Sequence, residues 1–402
     1  MGDTLLVVGI VEGRELALRT ALERGLRLVV IDFVESQLSQ LAHVRIPVAD
    51  LFDPGQLNAA IETAVQYHPS AVLSFFDELL EPTAQLAQRL GCRFLTPHAA
   101  LLAYNKVAQR AALRQAGVSC PRWLDCGDLD SVRLAAQEIG YPLILKTADQ
   151  AGATGKIRVF DAAGLEAAYT AVDLARIDRS VPLLVEQLAQ GEELSVEGFV
   201  VDSQVTLMCV TRKTATGGMY PVELSHALPY TGPETDLVMD TARQATTALE
   251  INNSMMHVEL MVTDRGPVVI EVNVRSAGDK IQDMIYQTSG CNPYEITLDL
   301  ALGVTPVWRP KWHGGMAIHF LTPDRAGVLE GFQGVEEAIG HPDLYDIGFW
   351  ASVGSVVPAI PQDNAGRLAW LICTGADWRA ADQQAHRLVT GLSSQVAATA
   401  GT

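Results

Sequence analysis

The sequence predicts an α/β fold, and three patterns in the 402-residue chain support this class. Residues 1–95 alternate short apolar strands with helical segments, which is typical of a parallel sheet built from βαβ units. Strand–loop–strand patterns follow at residues 141–160 and 257–280. In the first domain the expected strands are residues 4–10, 26–33, 71–76 and 93–95, and the expected helices are residues 14–24 and 81–90.

Composition limits the function classes that the chain can serve. Its length suggests roughly two to three domains, and 48% hydrophobic residues is enough for sizeable cores. No apolar run reaches the length of a membrane span, and no basic segment with a cleavage site opens the sequence, so we expect a cytoplasmic protein. Six cysteines without Cys-x-x-Cys spacing argue against a zinc site or a disulfide framework. A formal charge of −18 argues against nucleic acid or anionic membranes as partners.

Two helices are expected after the first domain. Thr96 and Pro97 have the pattern of an N-cap followed by proline at the first helical position. A second helix, residues 105–116, is expected to stop at Gly117. Lys106 lies in its first turn, where the helix dipole favours an anion. Taken alone, Lys106 fits an ordinary surface lysine better than a ligand contact.

Residues 141–160 are expected to form a strand, a loop of small residues and a second strand. Lys146 ends the first strand, and the loop carries Gly152, Gly155 and Lys156. Small residues let backbone N–H groups approach phosphates, and lysines supply positive charge. Ordinary hairpin loops often look the same, and the sequence contains no Walker A motif.

Two more strands are expected at residues 181–187 and 191–201. Glu193 lies near the start of the second strand, where its carboxylate could accept hydrogen bonds from ribose hydroxyls. The alternative is a solvated glutamate at a sheet edge.

A further strand, residues 205–211, leads through Lys213 into residues 214–229. This polar, glycine-containing stretch is long for a connection without secondary structure, and such loops are often functional. Glu223 and His226 lie within it and are candidates to face a substrate. A helix cap or a surface position is the alternative for both.

The pattern of residues 257–280 predicts a β-hairpin with a tight loop around Arg265, because apolar and polar residues alternate on both sides. In this register Glu259 lies directly opposite Glu271. The face that carries Glu271 is expected to include Asn273 and Arg275. The opposite, core-facing side is expected to carry Ile270, Val272 and Val274.

Two carboxylates that face each other repel, and a divalent cation between them is the simplest reason to tolerate them. Asn273 would supply a third oxygen ligand. So few protein ligands suit Mg²⁺, which takes its other ligands from water and phosphates. Arg275 would hold an anion beside the metal. A merely solvated acidic hairpin face is the alternative.

These motifs, taken in sequence order, resemble the ATP-grasp superfamily of carboxylate–amine ligases over residues 1–305. The motifs that carry the resemblance are NKVAQRAALRQAGVSCP, LILKTADQAGATGKIRV, LLVEQLAQGEELSVEGF and HVELMVTDRGPVVIEVNVRSAGD. Residues 306–402 resemble the small C-terminal subdomain of the branch that contains bacterial L-amino acid ligases. The implied domains are an N-terminal parallel α/β domain at 1–95, an ATP-grasp domain of two α+β subdomains at 96–305 with a lid at 140–190, and a C-terminal α+β subdomain at 306–402.

The resemblance also implies roles for individual residues. Contacts to the ATP phosphates are implied for Lys106, Lys146, Gly152, Gly155 and Lys156, the last three in a loop at residues 148–156 that closes over the triphosphate. Other nucleotide contacts are implied for Glu186, Gln187 and Leu188 at the adenine hinge, for Glu193 at the ribose, and for Lys213.

The same resemblance implies the metal and substrate residues. The implied Mg²⁺ ligands are Glu259, Glu271 and Asn273, with two ions expected and Mn²⁺ as the alternative metal. Arg275 would stabilise the phosphoryl and tetrahedral species, and Glu223 and His226 would contact the substrate, either of them accepting the proton of the amine.

The implied function is an ATP- and Mg²⁺-dependent ligase that joins an amino-acid carboxylate to an amine, above all another amino acid, through an acyl phosphate. One alternative is a ligase or carboxylase acting on another small carboxylate or amine in metabolite or purine biosynthesis. The other is a nucleotide-binding protein without catalysis, which the joint presence of both carboxylates, both lysines and Arg275 opposes. The expected partners are small molecules. The sequence leaves open whether the chain forms a homodimer. The sequence does not identify the substrates.

Overall fold

The computed structural model describes residues 3–10, 13–34, 36–148, 154–176 and 178–398. The N-terminal region is a four-stranded parallel sheet in the order β3-β2-β1-β4, with helices in its connections. Its elements are β1 (Thr4–Val8), α1 (Glu15–Glu23), β2 (Arg27–Phe33), β3 (Val44–Val48), α2 (Pro54–Val65), β4 (Ala71–Ser74) and α3 (Leu80–Leu90). The predicted parallel α/β arrangement of this region is confirmed.

Two details of the predicted first sheet are wrong. No strand forms at residues 93–95, which are an irregular segment between α3 and the next helix. The fourth strand is β3 instead, which the sequence analysis missed. Pro47 in β3 weakens the strand signal, and it is tolerated because β3 lies at the edge of the sheet.

Two helices lead from this region to the rest of the chain, α4 (Pro97–Tyr104) and α5 (Lys106–Gln115). Both begin at the caps that the sequence provides. The side chain of Thr96 accepts a hydrogen bond of 3.1 Å from the Ala99 N–H, and that of Asn105 accepts one of 3.0 Å from the Ala108 N–H. Lys106 is therefore the first residue of α5.

A second, antiparallel sheet has four strands in the order β5-β8-β6-β7. Its elements are β5 (Trp123–Cys126), α6 (Leu129–Ile139), β6 (Leu143–Thr147), β7 (Lys156–Val159), α7 (Leu165–Leu174) and β8 (Leu183–Gln187). Apolar side chains from both helices and all four strands form one core. We call this unit the small sheet.

The largest sheet has eight antiparallel strands in the order β13-β12-β9-β10-β11-β14-β18-β16, and we call it the large sheet. The elements of this part of the chain, in order, are β9 (Glu192–Val201), β10 (Gln204–Ala215), β11 (Glu223–Leu228), α8 (Thr235–Ala248), β12 (Ser254–Thr263), β13 (Gly266–Asn273), α9 (Ile281–Ser289), α10 (Pro293–Leu302) and β14 (Gly315–Leu321). The chain ends with β15 (Gly327–Gln333), α11 (Val335–Ile339), β16 (Leu344–Phe349), β17 (Val356–Val357), β18 (Ala369–Gly375), α12 (Trp378–Gly391) and β19 (Ser393–Ala397).

The large sheet continues without interruption from β11 to β14 and on to β18 and β16. It thus runs across residue 306, where the sequence predicts a domain boundary. The domain limits therefore stay a prediction. A separate three-stranded sheet is formed by β17, β15 and β19. Among the described helices, none combines the length and the apolar character needed to cross a bilayer.

Residues 214–229 are not an unstructured loop as predicted, because they contain β11. This strand pairs with β10 on one side and with β14 on the other. Its polar residues Glu223 and His226 line a cleft, and this polar content is what made the segment look like a loop. Both candidate residues therefore lie on a strand in the middle of the large sheet.

The hairpin of β12 and β13 has the predicted pair of carboxylates. Thr263 pairs with Gly266, whose φ of 106° suits the tight turn, and a register shift beside Glu259 brings this residue opposite Glu271. The shift leaves Ile270 unpaired and lining a cleft, so the prediction that it faces the core is wrong. Val272 and Val274 are buried as expected.

The cap of α5 gives a first prediction. Replacing Asn105 by alanine removes the acceptor for the Ala108 N–H and should lower the free energy of unfolding by about 1 kcal/mol. Urea unfolding of the wild type and the variant measures the difference. Asn105→Asp keeps an acceptor at this position and should stay close to the wild type. Equal losses in both variants would contradict the capping role.

Candidate active site

A cleft of about 900 Å³ is lined by residues from the small sheet and the large sheet. The predicted site residues that line it are Lys146, Lys156, Glu186, Gln187, Leu188, Glu193, Lys213, Glu223, His226, Glu259, Glu271, Asn273 and Arg275. Lys106 reaches the same place through an ion pair with Glu271. Residues that lie far apart in sequence thus converge as expected.

Two predicted glycines need separate comment. Gly152 lies outside the described residues, as does most of the loop that was predicted to close over a triphosphate. Gly155 has a φ of 62°, and a Cβ there would approach the Thr147 side chain to 2.9 Å. The left-handed backbone and the nearby Thr147 side chain therefore favour glycine at residue 155, whatever its part in binding.

Glu259 and Glu271 form the centre of the cleft, and each carboxylate is held by lysines. Lys213 Nζ lies 2.5 Å from a Glu259 oxygen, and Lys106 Nζ lies 3.1 Å from a Glu271 oxygen. The Lys156 Nζ is 4.0 Å from the other Glu271 oxygen. Three lysine ammonium groups thus lie beside the two facing carboxylates and balance their charge.

These cations keep both carboxyl groups ionised. Burial alone would raise the pKa of Glu271, but Lys106 and Lys156 outweigh it and lower that pKa to about 2. Burial acts the same way on Glu259, whose pKa Lys213 and His257 hold well below its usual range. Two anionic oxygen donors are therefore present at neutral pH.

His257, on the same strand as Glu259, and Glu197, on the neighbouring strand, support Glu259, and the sequence analysis missed both. His257 lies opposite Glu197 in the β12–β9 pair; its Nδ1 is 2.8 Å from a Glu197 oxygen and its Nε2 is 3.2 Å from Glu259. Burial opposes a charge on His257, but Glu197 raises its pKa to about 9. The spacing of two residues from His257 to Glu259 on one strand face was the available signal.

Lys146 and Glu186 form a buried ion pair together with Arg110 from α5. Glu186 is 2.7 Å from both the Lys146 Nζ and the Arg110 Nε, and Arg110 also donates to the Ile270 carbonyl. Burial lowers the pKa of Lys146 to about 8, although Glu186 opposes that shift. The Glu186 side chain is thus committed to these two cations. Arg110 was missed because its partners are distant in sequence.

Arg275 is anchored by the N-terminal region. Its Nε and Nη2 form a bidentate pair with Asp77, at 2.9 Å and 2.6 Å. Arg14 holds the next residues of the chain, because its guanidinium donates to the carbonyls of Ser276 and Ala277 at 2.7 Å and 2.6 Å. The sequence offered no signal for Asp77 or Arg14.

Glu223 and His226 lie at one end of the cleft, which we call the far end, together with residues that the sequence analysis did not name. Lys213 Nζ lies 2.6 Å from Glu223, and His226 Nε2 lies 3.4 Å from Glu223 and 3.1 Å from Asp279. Both terminal nitrogens of Arg367 lie 2.8 Å from the Asp279 oxygens. This end therefore alternates acidic and basic groups.

Comparison with known proteins agrees with this geometry. The ATP-grasp domain family matches residues 139–283, and the family described as L-amino acid ligase C-terminal domain 2 matches residues 319–397. A crystal structure of an L-amino acid ligase from Bacillus licheniformis has the same fold, with a TM-score of 0.88 at 20% sequence identity over 98% of this chain and 99% of that chain.

Two curated relatives come from Bacillus subtilis. Its alanine–anticapsin ligase is 26% identical over 263 residues, which are 60% of this chain and 55% of the relative. Its L-arginine-specific L-amino acid ligase is 22% identical over 263 residues, which are 64% of each chain. The chain spans 55% to 64% of the length of the curated relatives that it matches first.

The chain therefore contains an ATP-grasp domain at residues 139–283. Residues 319–397, near its C-terminal end, match a domain described from L-amino acid ligases.

The buried ion pair at Glu186 gives a second prediction. Arg110→Ala leaves a fully buried carboxylate with Lys146 as its one remaining cation among the described residues and should lower the free energy of unfolding by about 3 to 5 kcal/mol. Arg133, which forms exposed pairs with Asp130 and Glu166, is the control, and Arg133→Ala should cost no more than about 1 kcal/mol. Similar losses in the two variants would contradict this account.

Proposed function

We propose that the chain is an ATP-dependent ligase that forms an amide bond between the carboxylate of an amino acid and an amine, above all that of another amino acid. The observation that carries the proposal is the facing pair Glu259 and Glu271 in a cleft that also contains lysines and Arg275. The amino acid ligases among the relatives support this choice of substrate class.

The oxygen donors of the cleft fit Mg²⁺. Glu259 and Glu271 are ionised and face each other, and Asn273 lines the same cleft with an amide oxygen. Hard oxygen donors in small number suit a cation that keeps water and phosphate ligands. These three residues would hold up to two Mg²⁺ ions, and bound Mg²⁺ would supply positive charge beside the phosphates of ATP.

The remaining cleft residues suit ATP. Lys146 and Lys156 provide cations for phosphates, together with Lys106 at the start of α5. Gln187 and Leu188 would contact the adenine and Glu193 the ribose, since all three line the cleft beside the small sheet. Lys213 lies between the nucleotide side and the far end of the cleft.

The chemistry begins with charge, because a carboxylate and a triphosphate repel each other. Lys146 and Arg275 reduce that repulsion, so that a carboxylate oxygen of the substrate attacks the γ-phosphorus and ADP leaves. The product is an acyl phosphate, which water would hydrolyse unless the cleft excludes it. The amine then attacks the carbonyl carbon, phosphate leaves with the former carboxylate oxygen, and Glu223 or His226 accepts the amine proton.

The direct test is phosphate release from ATP and Mg²⁺ with pooled amino acids, followed by mass spectrometry of the products. We expect release that depends on the pool, together with a new mass equal to two amino acids less one water. Subdividing the pool then identifies both substrates. Absence of phosphate release with every pool would contradict the choice of amino acids as substrates and would direct the search to other small carboxylates and amines.

A variant tests the metal carboxylates. Glu271→Gln keeps the size of the side chain but removes one anionic donor, and we expect phosphate release to fall on the order of 100-fold or more. Glu336→Gln in α11, outside the cleft, is the control and should leave the rate unchanged. Binding of Mn²⁺, followed by its electron paramagnetic resonance signal, should weaken in Glu271→Gln alone. Full activity of that variant would refute the proposed site.

A further inference from the structure

His257 lies on β12 in the middle of the proposed metal ligands. It precedes Glu259 by two residues on the same strand and pairs directly with Asn273 on β13, while Glu259 pairs with Glu271. Residues two apart on a strand point to the same face of a sheet, as do directly opposed residues of paired strands. The His257 ring therefore shares one face of the large sheet with all three proposed ligands.

Two carboxyl groups hold the His257 ring. Its Nδ1 lies 3.0 Å and 2.8 Å from the two oxygens of Glu197, and its Nε2 lies 3.2 Å from Glu259 Oε1. The ring is 5% exposed, so packing restrains it as well. Because both nitrogens are engaged, the ring cannot turn about its Cβ–Cγ bond without losing these contacts. Its orientation is therefore set by Glu197 on one side and transmitted to Glu259 on the other.

Glu197 is anchored inside the large sheet. It lies on β9, between β12 and β10, and is 0% exposed. Its Oε1 accepts hydrogen bonds from the Ser195 hydroxyl at 2.8 Å and from the Thr211 hydroxyl at 3.4 Å, and both of these side chains are fully buried as well. A carboxyl group is costly to bury, which calls for a role. Glu197 does not line the cleft, so its link to the cleft is His257.

Glu259 receives its hydrogen bonds on one oxygen. The Lys213 Nζ lies 2.5 Å and the His257 Nε2 lies 3.2 Å from the same atom, Oε1. Within the described part of the chain, no hydrogen bond reaches Oε2, although the Glu259 side chain lines the cleft. Two donors on one oxygen restrain the carboxylate and leave the other oxygen for a cation.

The two donors differ in what they contribute. Lys213 carries its charge on a flexible stem and divides its ammonium group between Glu259 and Glu223, whose nearest oxygens lie 2.5 Å and 2.6 Å away. The Nε2–H of His257 instead points in a direction that the anchored ring sets. Lys213 thus compensates charge, whereas the pair of Glu197 and His257 determines orientation.

We propose that Glu197, acting through His257, positions Glu259 so that its Oε2 serves as a ligand of Mg²⁺. This inference rests on the proposed function, because the ion is the one that the proposed ligase would use. Neither Glu197 nor His257 touches the substrate or the metal in this arrangement, and both are positioning residues. Hydrogen-bonded partners of metal ligands typically contribute roughly 10- to 100-fold to metal affinity.

Titration with Mn²⁺, followed by its electron paramagnetic resonance signal with and without ADP, tests the proposal. His257→Asn keeps a donor near the position of Nδ1, so that Glu197 stays paired, but removes the donor to Glu259. We expect the Kd for Mn²⁺ to rise at least about 10-fold. If the ring were only a cation that competes with the metal, its removal would tighten binding instead. An unchanged or lowered Kd would therefore overturn the proposal.

A second variant tests whether Glu197 acts through the ring. Glu197→Gln keeps the size of the side chain and an acceptor for Ser195 and Thr211, but it removes the charge that holds His257 and should also raise the Kd for Mn²⁺. Because the two residues form one chain of contacts, the double variant should bind Mn²⁺ no more than about twofold more weakly than His257→Asn alone. Fully additive losses would contradict a path through His257.

The buried His319 on β14 of the same sheet provides a matched control. Its Nε2 lies 2.7 Å from an Asp382 oxygen, it is 7% exposed, and it does not line the cleft. His319→Asn should lower the melting temperature but leave the Kd for Mn²⁺ within about twofold of the wild type. Equal losses of Mn²⁺ affinity in His319→Asn and His257→Asn would show general damage and overturn the proposal. If His257→Asn does not fold, Glu197→Gln serves in the same comparison.

Phosphate release separates this inference from the proposed function, because Mn²⁺ binding requires neither ATP nor amino acids. Weaker Mn²⁺ binding in His257→Asn, together with no phosphate release by the wild type, would overturn the proposed function alone. Phosphate release by the wild type, together with an equal Kd for Mn²⁺ in every variant, would overturn this inference alone. A wild type that binds no Mn²⁺ with or without ADP would overturn this inference and the proposed metal site together.

Discussion

The repulsion between Glu259 and Glu271 is the constraint on which the site depends. Two carboxylates in direct register on a half-buried hairpin are unfavourable without cations, and the protein supplies these from separate elements. Lys106 comes from the start of α5, Lys156 from β7 and Lys213 from β10. The acidic pair therefore ties three parts of the chain to one point. The same arrangement explains why a protein with a net charge of −18 has its lysines concentrated in one cleft.

The segment 275–280, directly after the acidic strand, is the second fixed point. The N-terminal region holds its first part through Asp77 and Arg14, and the C-terminal region holds its last part through Arg367. A chain turn with two residues in the left-handed region needs such support, because it is not stable by itself. The N-terminal and C-terminal regions thus both shape the cleft without contributing the predicted metal ligands.

The sequence predicted what depends on local pattern and missed what depends on long-range packing. A turn centred on Arg265 predicts Glu259 opposite Glu271, whereas the observed turn pairs Thr263 with Gly266 and a bulge brings Glu259 opposite Glu271. Ile270 was misplaced, because a bulge shifts the alternation by one residue. Asp77 and Arg14 lie 198 and 263 positions from the residues they bind, so no periodicity could reveal them. β11 was taken for a loop because a strand face that lines a polar cleft has no apolar alternation to detect.

Lys213 links the two ends of the cleft electrostatically. Its Nζ lies 2.5 Å from Glu259 on the proposed metal side and 2.6 Å from Glu223 on the proposed substrate side. Burial opposes its charge, but Glu223 and Glu259 raise its pKa well above the usual range, so it stays a cation. A divalent cation at Glu259 would compete with Lys213 for that carboxylate and would strengthen the hold of Lys213 on Glu223. The charge at the proposed substrate end, including that around His226, would then depend on whether the proposed metal side is filled, so that the two halves of the proposed reaction would share one lysine.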